Sequence, residues 1–488
     1  MRTLADLPFD NTYARLPATF YQHVEPTPVP DPYLVAFNAD AARLIDLDPS
    51  EATKPEFVEY FAGNTLLPGS QPVAMKYAGH QFGSWVPQLG DGRAILLGEV
   101  RSAAGERWDL HLKGSGKTMF SRFGDGRAVL RSSIREYLAC EAMHALGIPT
   151  TRALCIVGTD LEVYRESVEP GALIVRMAPS HVRFGSFEVF AHRGQTEPVK
   201  TLVDYVIEQH YPHLKEADDR YVAFLREVVA RTARLIAKWQ AAGFAHGVMN
   251  TDNMSILGIT LDYGPYGFVE DFDPGFICNH SDETGRYAFD QQPRIGYWNL
   301  AALAQSLLSL MTADQAQAAL NAYPDAFNSH MHELMTAKLG LTTTDEGDQP
   351  LWTNLIDLLA ATRVDYSIFF RALGPFSTSP GAANEPARKL FPNPSVFDPW
   401  AERYADRLRS EGSLDVERKV RMDRENPKYI LRNYLAQVAI EKAERKDFSE
   451  VDRLRGVLRL PFDEQPEMEH YAQPAPEWGR HLQVSCSS

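Results

Sequence analysis

Between Asp219 and Ala242 the chain reads DRYVAFLREVVARTARLIAKWQAA, with apolar residues at helical spacing until Gly243 stops the run. HGVMNTDNMSILGITLDYG, residues 246–264, follows almost at once. A long helix thus hands the chain to a polar loop carrying Asn250, Asp252, Asn253 and Asp262. The second half of that stretch, MSILGITLDYG, predicts a small hairpin ending on Asp262.

With 488 residues, 44% apolar and 23% charged, the chain has globular composition and ample length for a large core or several domains of about 100–200 residues. Acidic residues outnumber basic ones, 64 to 49, for a net charge of -15, which argues against a nucleic-acid partner. The opening MRTLADLPFDNTYARLPATF lacks a basic start with an apolar run, and no stretch approaches about 18 consecutive apolar residues. A cytoplasmic protein with no membrane partner is therefore expected. The 4 cysteines are too sparse for a disulfide scaffold. Cys140 and Cys155 lie in apolar runs and read as core. Cys486, in the terminal VSCSS, reads either as an accessible redox thiol or as an incidental one.

Residues 1–70 read as an ordered extension, with a helix near Pro32–Leu47. From Arg93, RAILLGEV, the turn AAGE and RWDLHLK predict a β-hairpin. Trp108, Leu110 and Leu112 share one face of its second strand, leaving Asp109, His111 and Lys113 on the other. A helix is predicted over Ser133–Leu146, closed by Gly147 with Pro149 beyond, and then three strands from TRALCIVGT, LEVYRES and ALIVRMA. Strand, strand, helix and three strands is the order of a protein-kinase N-terminal lobe, with Met177-Ala178-Pro179 as the hinge. The helix and loop of 219–264 then stand where a kinase carries its catalytic loop. Beyond Tyr297 the chain is mostly helical, while residues 374–399 read as a long loop. The expected fold class is α+β, a two-lobed protein-kinase-like fold. Its expected divisions are an N-terminal extension over 1–75, an N lobe over 76–178, a C lobe over 179–330 and a helical C-terminal extension with a redox tail over 331–488.

GSGKT at 114–118 imitates a Walker A loop, but that motif requires glycine where His111 stands. The glycine-rich run GSGKTMFSRFGDGRA remains either a backbone cradle for phosphate or a solvated loop. Lys113 ends a strand and Glu136 lies on the following helix, as in the lysine–glutamate pair that positions nucleotide phosphates in kinases. Glu136 also completes Ser133-Ile134-Arg135-Glu136, a capping-box spacing, so the residues alone leave both readings open. His246 and Asn253 match H-x-x-x-x-x-x-N, and Asp262 follows in Asp-Tyr-Gly. An amide oxygen and a carboxylate are hard ligands suited to nucleotide-bound Mg²⁺. A kinase catalytic aspartate would occupy the position of Val248, which cannot accept a proton.

The chain resembles the selenoprotein O (SelO/YdiU) family of protein adenylyltransferases with a pseudokinase fold. The resemblance extends over nearly all of it. Its marks are YAGHQFGSWVPQLGDGRAILLGE at 77–99, LHLKGSGKTMFSRFGDGRAVLRSSIREYL at 110–138, the 246–264 stretch, NPKYILRNYLAQ at 426–437 and the tail cysteine. It implies transfer of AMP from ATP to Ser, Thr or Tyr hydroxyls of proteins, with ATP flipped relative to a kinase. It implies that Lys113 contacts phosphate, that Glu136 orients it, and that Asn253 and Asp262 hold Mg²⁺ or Mn²⁺. Gly90, Gly92 and Arg93 of LGDGR, with Asp125 and Gly126 of FGDGR, match nucleotide-binding positions. Arg176 and Arg183 would bind phosphate, although a surface ion pair is the alternative for each. Asp252 matches the family's proton acceptor, and Asn250-Thr251-Asp252-Asn253 also reads as a polar turn. The resemblance further implies a regulatory Cys278–Cys486 disulfide. Two rival functions remain at this level, a conventional phosphotransferase and a non-catalytic nucleotide-binding scaffold.

Overall fold

The computed structural model describes residues 1–480 and 482–484. Its centre is an eight-stranded antiparallel sheet, in the order Tyr21–His23, Val73–Met75, Ala94–Arg101, Arg107–Lys113, Val168–Ala178, Arg152–Tyr164 and Tyr33–Phe37, with Ala128–Val129 pairing off the path against Val168–Ala178. The expected hairpin is present, with Ala94 opposite Lys113 and Arg101 opposite Arg107. Alternation decides its faces. Leu110 and Leu112 enter a core with Ile95, Phe57 and Phe61, and Trp108 packs against it. Asp109, His111 and Lys113 therefore point the other way.

The helix Leu130–Ala145 lies on that second face, packed against the strands Arg152–Tyr164 and Val168–Ala178 and against the helices Asn433–Ala443 and Ser449–Leu458. Covered on so many sides, it buries polar Glu136 completely beside Ile134, Leu138 and Met143. The helix begins three residues before Ser133, and Val129 occupies its N-cap. Ser133 is thus inside the helix and cannot cap it, which removes the capping-box reading of Glu136.

The helix Arg220–Ala242 ends as its periodicity predicts, at Gly243 with a left-handed φ of +69°. It buries Phe224, Leu225, Val228, Ile236 and Trp239. Each such side chain contributes about 1.5–3 kcal/mol of burial, enough to make the helix a rigid support. The polar loop that follows is closed by a single antiparallel bridge between Met254 and Thr260, to which the small hairpin expected there is reduced. The C-terminal region is helical, with Asp348–Thr362, Tyr366–Leu373 and Asp398–Ser410 enclosing a separate aromatic core around Phe369, Phe397, Trp400 and Tyr404.

Two local expectations are corrected. Residues 32–47 form the strand Tyr33–Phe37 and only a short helix, Ala39–Leu44, because Asn38 caps the helix by accepting from Asp40 N and Ala41 N. TRALCIVGT and LEVYRES are one strand, Arg152–Tyr164, whose pairing with Val168–Ala178 shifts register between Gly158 and Glu162, so the local break signal becomes an irregularity within one strand. Among the described residues no helix is long and apolar enough to cross a membrane.

Candidate active site

A cleft of about 660 Å³ opens between the second face of the sheet and the 246–264 loop. Lys113, Arg176, Arg183, Asp252, Asn253 and Asp262 line its interior, with Gly90, Gly92, Arg93, Asp125 and Gly126 along its glycine-rich side. Val248 also faces it. Segments far apart in the chain therefore converge on one polar cavity.

The loop is pinned before it presents any group. His246 is buried and its Nε2 donates to Leu261 O at 2.9 Å, joining the start of the loop to the residue before Asp262. Asn250 Oδ1 accepts from Tyr287 OH at 2.6 Å and from Phe82 N at 3.1 Å. Thr251 Oγ1 accepts from His80 N at 2.7 Å. The hairpin Gly79–Gln81 with Ser84–Val86 lies so close that a Cβ at Gly79 would stand 2.8 Å from Asp252 Oδ1.

Lys113 Nζ donates to Glu136 Oε2 at 2.5 Å, and Arg176 Nη1 to Glu136 Oε1 at 3.2 Å. Burial opposes ionisation of Glu136, but Lys113 and Arg176 outweigh it and hold the carboxyl below its ordinary value. Burial draws the Lys113 ammonium down against the pull of Glu136. Arg176 Nη2 donates to His111 Nδ1 at 2.8 Å, which places the imidazole proton on Nε2, 3.0 Å from Asp91 Oδ2. Strand alternation had already set His111 beside Lys113, whereas its link through Asp91 to the LGDGR loop had no local signal.

Asp262 has a left-handed φ of +58° and sits where three donors converge. Arg176 and Arg183 both contact its carboxylate directly, and Asn253 Nδ2 donates to Oδ2 at 3.2 Å. Burial would raise its pKa, but Arg183 and Arg176 hold it well below the carboxylate range. Arg183 also donates to Asp252 O at 2.7 Å and lies 4.8 Å from the centroid of the Tyr77 ring. Neither arginine makes a surface ion pair, since each is at least 97% buried.

Asp252 is the contrasting carboxylate. Its Oδ2 accepts from Gln81 Nε2 at 3.1 Å, and its buried Oδ1 has no hydrogen-bond partner among the described residues. Burial pushes its pKa up to about 7, against the pull of Arg183. Asn253 Oδ1 is likewise buried and, among the described residues, unpartnered. Such oxygens are costly unless something satisfies them, and with the Asp262 carboxylate they form a hard-oxygen set that fits a divalent cation. Gln81 is a site residue that spacing did not reveal, because its segment reaches Asp252 only through the folding of the chain.

On the glycine-rich side the LGDGR and GSGKTMFSRFGDGR segments are joined. Ser121 Oγ donates to Gly92 O at 2.5 Å, Thr118 Oγ1 to Asp91 O at 2.7 Å, and Gly116 N to Gly126 O at 2.9 Å. Asp125 makes a two-pronged ion pair with Arg165, at 2.8 and 3.0 Å, which occupies its carboxylate. Cys278 is buried behind the loop, where its Sγ lies 3.5 Å from Ala245 O. Cys486 lies outside the described residues.

The family model for "Protein adenylyltransferase SelO" matches residues 3–459. The chain is 62% identical to the protein nucleotidyltransferase YdiU of Myxococcus xanthus, 58% to that of Thiobacillus denitrificans and 59% to that of Thioalkalivibrio sulfidiphilus, each over the whole length of both chains. Together with a cleft that gathers the residues the resemblance points to, these likenesses assign the chain: it belongs to the SelO protein adenylyltransferase family and is a protein nucleotidyltransferase.

Proposed function

We propose that this enzyme transfers AMP from ATP to a Ser, Thr or Tyr hydroxyl of a protein, on a two-lobed kinase-like scaffold with ATP flipped so that its α-phosphate faces the acceptor. The observation that carries the reading is the contrast between Asp252 and Val248. Where a kinase base would stand there is an aliphatic side chain, while Asp252 offers a buried oxygen without a partner among the described residues and a pKa of about 7. A base poised near neutrality suits proton transfer from an alcohol.

In the proposed step the acceptor oxygen bonds to the α-phosphorus, the bond from that phosphorus to the bridging oxygen breaks, and pyrophosphate leaves. The hydroxyl proton passes to Asp252 Oδ1, and Gln81 holds the opposite oxygen of the carboxylate. Lys113, Arg176 and Arg183 neutralise phosphate charge, with Glu136 holding the first two in place. Asn253 and Asp262 would hold Mg²⁺ or Mn²⁺, which supplies further charge neutralisation at the phosphates. The glycines at 90, 92 and 126 let backbone approach the nucleotide, and Arg93 flanks it. For phosphate to engage them, Arg176 and Arg183 must exchange part of their grip on Asp262.

The test is incubation with candidate protein acceptors and ATP labelled at the α- or the γ-phosphate. Incorporation of the α-label supports AMP transfer, and incorporation of the γ-label alone rejects it in favour of a phosphotransferase. Metal-dependent ATP binding with neither label transferred indicates a scaffold. A parallel series with other α-labelled nucleoside triphosphates tests the choice of base, because the relatives' names specify nucleotidyl transfer without naming one.

We also propose the regulatory Cys278–Cys486 disulfide. Two observations support it: His280 N donates to Val484 O at 2.8 Å, which brings the tail beside the Cys278 segment, and a Cβ at Gly247 would lie 2.6 Å from Cys278 Sγ. Oxidation would therefore act next to the catalytic loop. Peptide mapping without reductant should recover the Cys278–Cys486 pair under oxidising conditions; free thiols at both positions would reject it.

A further inference from the structure

Behind the Gly79–Val86 hairpin, outside the nucleotide cleft, three further side chains converge. Glu188 lies in the helix Gly185–Ala191 and His192 one turn later, an i,i+4 spacing that puts both on one face. His80 approaches from the hairpin, its Nδ1 2.6 Å from Glu188 Oε1. One nitrogen from each histidine and one Glu188 oxygen all lie within 4.8 Å of one another. Ligand atoms around a tetrahedral zinc ion stand about 3.3 Å apart, given bonds of about 2.0–2.1 Å, so modest side-chain movement closes the set.

A second observation points to a ligand. Glu188 is completely buried, and among the described residues its only ion-pair partner is His80 and its Oε2 has no hydrogen-bond partner. A buried carboxylate with one oxygen on an imidazole and the other unsatisfied invites a cation. The rings are held in place as well: His192 stacks on Trp85 with centroids 3.8 Å apart, and His80 meets Trp298 edge-on at 5.2 Å. His192 is exposed, which gives an ion a route in from solvent.

We propose that His80, Glu188 and His192 bind a divalent transition ion of the zinc class, with the remaining position open to water. The two-histidine, one-carboxylate set favours such an ion over Mg²⁺, whereas the oxygen-only Asn253–Asp262 site favours the hard cation. The ion ties the hairpin to the helix. His80 N donates to Thr251 Oγ1, and the neighbouring Gln81 donates to Asp252, so this tie steadies the side chain that positions the proposed base.

The test uses full-length protein stripped with chelator and titrated with Zn²⁺ in excess Mg²⁺, with Co²⁺ absorption as an independent readout of coordination. Wild type should bind one equivalent of Zn²⁺. H192A, which alters an exposed residue, should weaken binding by at least about 100-fold while keeping its circular dichroism spectrum. E188Q should do the same, and D262A should bind Zn²⁺ as wild type does. No Zn²⁺ binding by wild type, or equal binding by H192A, would overturn the proposal. So would loss of binding in D262A with retention in H192A, which would place the ion in the nucleotide cleft.

Discussion

Arg183 grips Asp262 while the same guanidinium reaches the backbone carbonyl of Asp252, so one planar cation fixes the spacing between the two aspartates of the cleft. Nη1 makes both contacts while Nη2 reaches Asp262 Oδ1 at 3.4 Å, a planar grip that the compact ammonium of a lysine does not reproduce. R183K should therefore lower AMP transfer by about 10²–10³-fold. Single-turnover incorporation of α-label measures the loss, and near wild-type transfer would show that charge alone suffices.

Asp252 should matter to transfer and not to nucleotide capture, because it faces the acceptor side of the proposed reaction. D252A and D252N should each reduce transfer by about 10²–10⁴-fold while ATP affinity stays near wild type. Calorimetric titration and acceptor labelling separate the two quantities. A parallel loss of affinity would instead assign Asp252 to the nucleotide.

Gly126 is where the two arms of the glycine-rich loop cross. Its φ is +74°, and a Cβ there would lie 2.1 Å from the Gly116 carbonyl carbon. G126A must push the arms apart, and a displacement of about 1 Å at a phosphate cradle costs roughly 100-fold in rate. Incorporation of α-label should fall by that order, and near wild-type transfer would show that the cradle tolerates the added methyl.

Lys338, remote from the cleft, offers a stability test. It is buried with its ammonium over the Phe370 ring, 4.3 Å from the centroid, and burial lowers its pKa to about 7, with Glu425 opposing. The folded protein then releases this proton near pH 7, whereas the unfolded chain keeps it until about 10.5. Between those values the unfolded state binds more protons, so this residue makes stability rise with pH, by at most about 1.4 kcal/mol per pH unit. K338M should remove that slope and raise stability at pH 7 and below. Denaturant midpoints of both proteins across pH 6–10 check it.

Repetition of local signal explains which parts of the fold were legible. The Arg220–Ala242 helix, its Gly243 stop and the Arg107–Lys113 strand all rest on periodicity, and each stands in the structure where periodicity places it. The helix expected over Pro32–Leu47 fails because a single capping side chain, Asn38, separates a strand from a helix within a span too short to carry either period clearly. TRALCIVGT and LEVYRES fail as separate strands because hairpin pairing overrides a local break signal.

The cleft was legible in a different sense. Its residue types follow from chemistry and from the resemblance to a family, but their mutual contacts do not. The sequence by itself determined the chain's periodic elements, the charged face of the Arg107–Lys113 strand and the aliphatic Val248 two residues after His246. Only the tertiary structure decided that Glu136 meets Lys113 and Arg176 instead of capping its helix, that Gln81 holds Asp252, and that His80 stands against Glu188. The physical reason is that a helix or strand is selected by neighbours along the chain. The partner of a buried charge is selected by whatever the completed core brings within hydrogen-bond reach once water is excluded.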